Sequence, residues 1–139
     1  MNLADELDQK LRPGVIAVAH PEGRAEANVV DADRLAVSVR SLRVTVAERS
    51  LDEAIAVLPE AVGRCLGLPL HVAEHAPTLG GAVLRSPVDA SDREFYELRT
   101  GGADAELKRW RVQPAGREQV PFTLTRKDLG RLVSGLKSR

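Results

Sequence analysis

The stretch RLAVSVRSLRVTVA, residues 34–47, decides what kind of fold this chain builds. Leu35, Val37 and Val39 alternate on odd positions, and Leu42, Val44 and Val46 alternate on even ones. Alternation with a period of two is the signature of a strand with one buried face. The parity changes near Arg40-Ser41, so an unbroken strand would turn half of its apolar side chains to water. One extra residue there, a β-bulge, restores the register. A turn at the same place, giving two strands, is the alternative.

Working outward, the same signals recur. VIAVAH and AEANVV read as strands before this one, with HPEGR as the turn between them and Asp31 to Asp33 as the next turn. Residues 2–12 read as a short helix: Asn2 caps it, and Leu3, Leu7 and Leu11 repeat every four residues until Pro13-Gly14. On the other side, Ser50 and Glu53 form a capping box. They open a helix over 51–66 with its apolar stripe at Leu51, Ile55, Leu58, Val62 and Leu66. Pro59 lies inside and predicts a kink or a split, because it lacks a backbone donor. Beyond it come LHVAEHA, GAVLRS, EFYELRT, AELKRWRV and QVPFTLT, separated by Gly- and Pro-rich breakers. Thr125 and Asp128 then open a helix over 126–137.

Strand runs joined by hairpin-length loops predict an antiparallel sheet of roughly seven to eight strands, with the helices packed mainly on one face. The chain reads as a single α+β domain over 1–139. Hydrophobic residues make up 43%, too many for global disorder, while aromatics are only 3%, so the core is aliphatic. Cys65 is the only cysteine, which excludes an internal disulfide and an all-cysteine zinc site within one chain. No run approaches the ~20 apolar residues of a membrane-spanning helix. The opening MNLADELDQKLRPG lacks the basic start and apolar centre of a secretory signal, and a cytoplasmic protein is the expectation. Net charge is zero but uneven. Residues 1–104 hold 11 Lys/Arg against 17 Asp/Glu, and residues 105–139 hold 9 against 3.

Candidate chemistry centres on HVAEH, residues 71–75. His71, Glu74 and His75 stand in the order H-x-x-E-H, which resembles the zinc motif of inverzincin metallopeptidases. That resemblance implies a helix with both imidazoles on one side and Glu74 as the base, giving a small metal-dependent hydrolase. Glu94 or Glu97 is a conceivable third ligand. The residues themselves favour a strand: Pro69 and Pro77 bracket the motif, and on a strand His71 and His75 share a face. No metal, cofactor or catalytic residue is therefore assigned. Cys65, near the C-terminal end of a helix, reads as a buried structural thiol. Neither a nucleophile-elbow serine nor a phosphate-binding glycine loop is present.

The hairpin around TGGADA carries the most informative surface. Lys108, Trp110 and Val112 share one strand face, and Leu107, Arg109 and Arg111 share the other. With Trp110 inside, Arg109 and Arg111 are outside, joined by Arg99, with Glu94 and Glu97 in reach to pair with them. These residues (Arg99, Arg109, Arg111 and Trp110), together with the C-terminal helix, are the expected partner-binding surface. The order of elements resembles that of the small secretion chaperones. This resemblance implies a homodimer that binds unfolded segments of partner proteins, although the pI of 6.8 is less acidic than is usual there. The leading expectation is thus a non-enzymatic protein-protein interaction domain, homodimeric. RNA or DNA binding through the basic 99–111 hairpin is the alternative.

Overall fold

The computed structural model describes every residue of 1–139 except Pro77 and Leu79. Its elements run α1 (Leu3–Asp8), β1 (Gly14–His20), β2 (Gly23–Ala32), β3 (Ala36–Thr45), α2 (Leu51–Leu66), β4 (His71–Ala76), β5 (Gly81–Arg85), β6 (Glu94–Thr100), β7 (Asp104–Gln113), β8 (Gly116–Val120), β9 (Phe122–Thr125) and α3 (Arg126–Leu136). All nine strands join one sheet, ordered β1-β2-β3-β7-β6-β5-β4, with β8 on β7 and β9 on β3. Every pairing is antiparallel.

The strand that sets the class behaves as its parity requires. On β2, Asn28 faces Ser41 and Val29 faces Val39, so Arg40 is an extra residue without a partner. Val37, Val39, Leu42 and Val44 consequently all point into the core, each 0–1% exposed. A second irregularity at Val30 on β2 cancels the shift, and Asp31 faces Ser38. The bulge also divides the other side of β3. Ser41–Thr45 pair with β7 and Ala36–Val39 pair with β9. The Gln119 side-chain amide closes the junction by donating to the Arg40 carbonyl at 2.8 Å.

Two meanders meet at the centre. The first, β1-β2-β3, ends at the middle of the sheet. α2 then carries the chain across to the far edge, and β4-β5-β6-β7 returns to pair with β3. All three helices contact the same sheet face, α1 over β1 and β2, α3 over β3 and β9, α2 over β4 and β5. The core between the layers is aliphatic. Leu3, Leu7, Leu42, Leu58, Leu84, Leu98, Leu107 and Leu136 are fully buried, each stabilising by roughly 1.5–3 kcal/mol. Tyr96 and Phe122 extend it with an edge-to-face contact at 5.5 Å.

Local chemistry fixes the element ends. Asn2 and Asp5 make a reciprocal capping box on α1, Ser50 accepts from the Glu53 N–H on α2, and Thr125 accepts from the Asp128 N–H on α3. Gly67 closes α2 in the left-handed region at φ 69°. α2 runs through Pro59 as one helix rather than splitting. α1 stops at Asp8 instead of residue 12: the Lys10 N–H bonds to the Leu7 carbonyl at 3.0 Å, which tightens and closes the last turn. The predicted QVPFTLT strand divides at Pro121, which has no N–H to offer a ladder. That division raises the count to nine strands. The turn expected at residues 31–33 starts later. Asp31 and Ala32 stay in β2, and the Asp33 carboxylate takes the N–H groups of Leu35 and Ala36 at 2.8 Å. Gly23 lies so close to β3 that a Cβ there would sit 2.4 Å from the Thr45 carbonyl oxygen.

One buried arginine ties the layers together. Arg49, 3% exposed, donates to the carbonyls of Gly102 at 2.6 Å, Leu136 at 2.7 Å and Ser138 at 2.8 Å. It therefore joins the β6–β7 hairpin loop to the C-terminal end of α3, where a cation meets the negative end of the helix dipole.

Candidate contact face

HVAEH is strand, not helix. β4 lies at the sheet edge, and its residues from His71 to His75 are exposed. It carries a bulge of its own at Ala73: Val72 faces Leu84, and Glu74 faces Val83. This corrects the expectation that the two histidines share a face. His71 stands opposite Arg85 and lies with Glu74 on the face away from the helices, whereas His75 stands opposite Ala82, on the helix side. Glu74 pairs with Arg85 at 3.6 Å. Among the described residues no group of three His, Cys, Asp or Glu side chains is arranged to hold a metal.

The hairpin residues divide differently from the expectation. Leu107 faces Leu98 in the core, which sends Trp110 to the face opposite the helices, beside its cross-strand neighbour Phe95. Arg99 lies on that same open face. Arg109 and Arg111 lie on the other, beyond the helix layer, and both are paired. Arg109 reaches Glu94 at 2.7 Å and Asp92 at 3.2 Å, and stacks its guanidinium 4.8 Å from the Tyr96 ring centre. Arg111 reaches Glu94 at 3.1 Å. The four residues expected to form one surface thus form two, Arg99 with Trp110 and Arg109 with Arg111.

What organises the open face is Glu97. Its side chain is 1% exposed, yet it is a carboxylate on a sheet face that no helix among the described residues covers. Three arginines enclose it. Arg117 binds both oxygens, at 2.6 and 3.3 Å, Arg85 donates from Nε at 2.9 Å, and Arg99 donates from Nε at 3.1 Å. Burial alone would push the Glu97 carboxyl up; the hydrogen bonds from Arg117, Arg85 and Arg99 outweigh it and set the pKa at about 2. The Arg117 guanidinium also lies over the Trp110 ring, its central carbon 3.9 Å from the ring centre. The Trp110 indole N–H is buried without a partner among the described residues. Phe95 and Val83, 8% and 7% exposed, lie on the same face, opposite Trp110 and Arg99 in the register.

Sequence reasoning found Arg99 and Trp110 but missed Arg85 and Arg117. Arg117 sits on a five-residue strand that had not been separated from the loop before it. Arg85 becomes Glu97's neighbour only through the β5–β6 register. Counting across β3 to β8 and β4, Arg43, Arg85, Arg99, Lys108 and Arg117 share this face with Glu74, Glu97, Asp104 and Glu106. The open face is therefore nearly balanced in charge, five cations against four carboxylates.

On the helix side, Cys65 is half-buried, its thiol donating to the Arg131 carbonyl at 3.4 Å, and burial pushes its pKa up. It borders a cavity of about 720 Å³ between α1, α2 and α3, lined by Ala61, Gly130, Ser134 and Gly135 among others. A raised thiol pKa is the opposite of what a nucleophile needs. No helix among the described residues is long and apolar enough to cross a membrane. Compared with protein-family models, curated proteins and solved structures, the chain matches none.

Proposed function

We propose that this protein is a small interaction domain, acting as a homodimer without chemistry of its own, that holds a protein partner against the open sheet face. The observation that carries the reading is the Trp110–Arg117 stack beside the buried Glu97 cluster on a face no helix covers. Trp and Arg dominate the energetics of protein contacts, and side chains already fixed before binding lose little entropy on docking. Arg99, 57% exposed on this face, favours a partner that offers a carboxylate at the contact. Nucleic-acid binding fits less well. The Arg109 and Arg111 charges are neutralised by Asp92 and Glu94, and carboxylates alternate with cations across the open face, which opposes tracking of a phosphate chain. A metal hydrolase at His71 and His75 lacks the shared face its ligands need.

The test compares captured partners. Tagged wild-type protein, an Arg99→Ser/Trp110→Ala variant of the open face and a Lys127→Ser variant of the helix layer are used as bait under identical conditions. The expected result is a partner held by wild type and Lys127→Ser and lost, by about tenfold or more, from the double variant. A partner retained equally by all three baits would contradict the assignment. Light scattering supplies the stoichiometry, with a mass of twice 15.0 kDa expected.

A further inference from the structure

The inference rests on the homodimer in the reading above and concerns where its two copies meet. β1 is an outer strand. β2 pairs with it on one side, and among the described residues no hydrogen bond reaches Gly14–Ala19 from the other. Its seven residues pair with β2 without a register shift. No charged residue occurs between Pro13 and His20, and Val15 is 65% exposed. A flat, uncharged, apolar strand edge is a template for another strand, and proteins ordinarily blunt such edges. This one does so elsewhere: β4 has the Ala73 bulge and Glu74, and β8 is short and carries Arg117 and Glu118. β9, paired only with β3, is four residues long, which leaves β1 as the long uncharged edge among the described residues.

We propose that β1 is the dimer interface, pairing antiparallel with β1 of a second copy about a twofold axis at Ala17. The sequence is balanced about that residue. Pro13 and Pro21 stand four positions to either side, and neither has an N–H, so the ladder ends at the same place in both copies. The axis sets Val15 against the second copy's Ala19, and Ile16 against its Val18. Every opposed pair within the ladder is uncharged, and no like charges meet. Each end of the ribbon brings Arg12, exposed, to the corner where the other copy carries His20 and Glu22, which lie 3.4 Å apart. A second copy meets all these conditions by symmetry, as an isologous contact does. Two sheets then become one, with both helix layers on the same side and both open faces on the other.

Cysteine cross-linking reads the axis directly. In a full-length Cys65→Ser background, Ala17→Cys places two thiols on directly opposed residues, whose Cα atoms in an antiparallel pair lie about 4.5–5.5 Å apart, within disulfide range. Val15→Cys is the control. Residue 15 faces residue 19 of the other copy, and its own twin lies roughly 13 Å along the strand, beyond reach. Under mild oxidation Ala17→Cys is expected to run as a covalent dimer, at least about tenfold more abundant than for Val15→Cys. Val15→Lys, on an exposed position, is expected to raise the dimer dissociation constant about tenfold or more. A protein that sizes as a dimer but cross-links no better at 17 than at 15 would overturn this interface and leave the homodimer standing. A mass of 15.0 kDa at every concentration up to about 100 µM, far above the micromolar range of an ordinary specific contact, would overturn both.

Discussion

Glu97→Gln is expected to lower the unfolding free energy by about 3 kcal/mol and to remove much of the protein's acid sensitivity. The cost has two sources. Glutamine keeps the shape but withdraws the charge that three guanidiniums share, and a buried partner removed from an ion pair is worth more than the pair itself. The three arginines are 32–57% exposed and relax partly into water, which keeps the loss from growing larger. The pH dependence follows from the direction of the shift. Glu97 ionises at about 2 when folded and near 4.5 when unfolded, so its contribution is complete above pH 4.5 and disappears as the pH falls through 2. Glu22, Asp33 and Asp89 are lowered as well, held by the Lys137 ammonium, the Ala36 N–H and the Ser91 hydroxyl respectively, so the wild-type slope is not Glu97's alone. The difference between wild type and Glu97→Gln isolates it. Urea midpoints for the two proteins, followed from pH 6 to pH 2.5, are expected to converge on the acid side. A constant gap across that range would mean that the carboxylate is not held by the arginines.

Arg49→Met is expected to cost more, about 3–5 kcal/mol, although it keeps most of the side-chain volume. The guanidinium supplies hydrogen bonds to three carbonyls from two distant parts of the chain. A methionine leaves the Gly102 and Leu136 carbonyls without those donors, and hydrogen bonds to charged groups are worth ~1.5–3 kcal/mol each. Arg49→Lys is expected to recover only part of the loss, because one ammonium lacks the planar fork that reaches both the hairpin loop and the end of α3. Burial, with Arg139 nearby, pushes the Arg49 pKa down against the pull of Asp104 and Glu53. Chemical denaturation of the three proteins at neutral pH checks the order wild type, Arg49→Lys, Arg49→Met. Equal stabilities would show that the loop and the helix end are held by something else.

The α+β class and the bulge at Arg40 were legible because side-chain parity is written in the order of residues and needs no knowledge of partners. The helix starts at Asn2, Ser50 and Thr125 were legible for a similar reason, since a cap and its donor lie within four residues. What escaped was long-range. Nothing local shows that Pro121 separates two strands with different partners, β7 for one and β3 for the other. The Ala73 bulge was hidden because HVAEH has too few apolar residues to expose a change of parity, and so the two histidines landed on opposite faces. The candidate contact face was half visible. Arg99 and Trp110 stood out by type, but Glu97 took its meaning from Arg85, twelve residues away, and Arg117, twenty residues away. The side of the sheet that Trp110 occupies follows from Leu107 facing Leu98, and the hairpin read alone offers both choices.

Site-specific photo-cross-linking in cells tests most directly whether the open sheet face is the working surface. A photoreactive amino acid at position 108, where Lys108 lies on the open face and is 32% exposed, is compared with one at position 127 on the helix layer. The predicted result is a discrete heavier adduct with a partner protein from 108 and none from 127. Adducts from 127 alone, or none from either position, would contradict it.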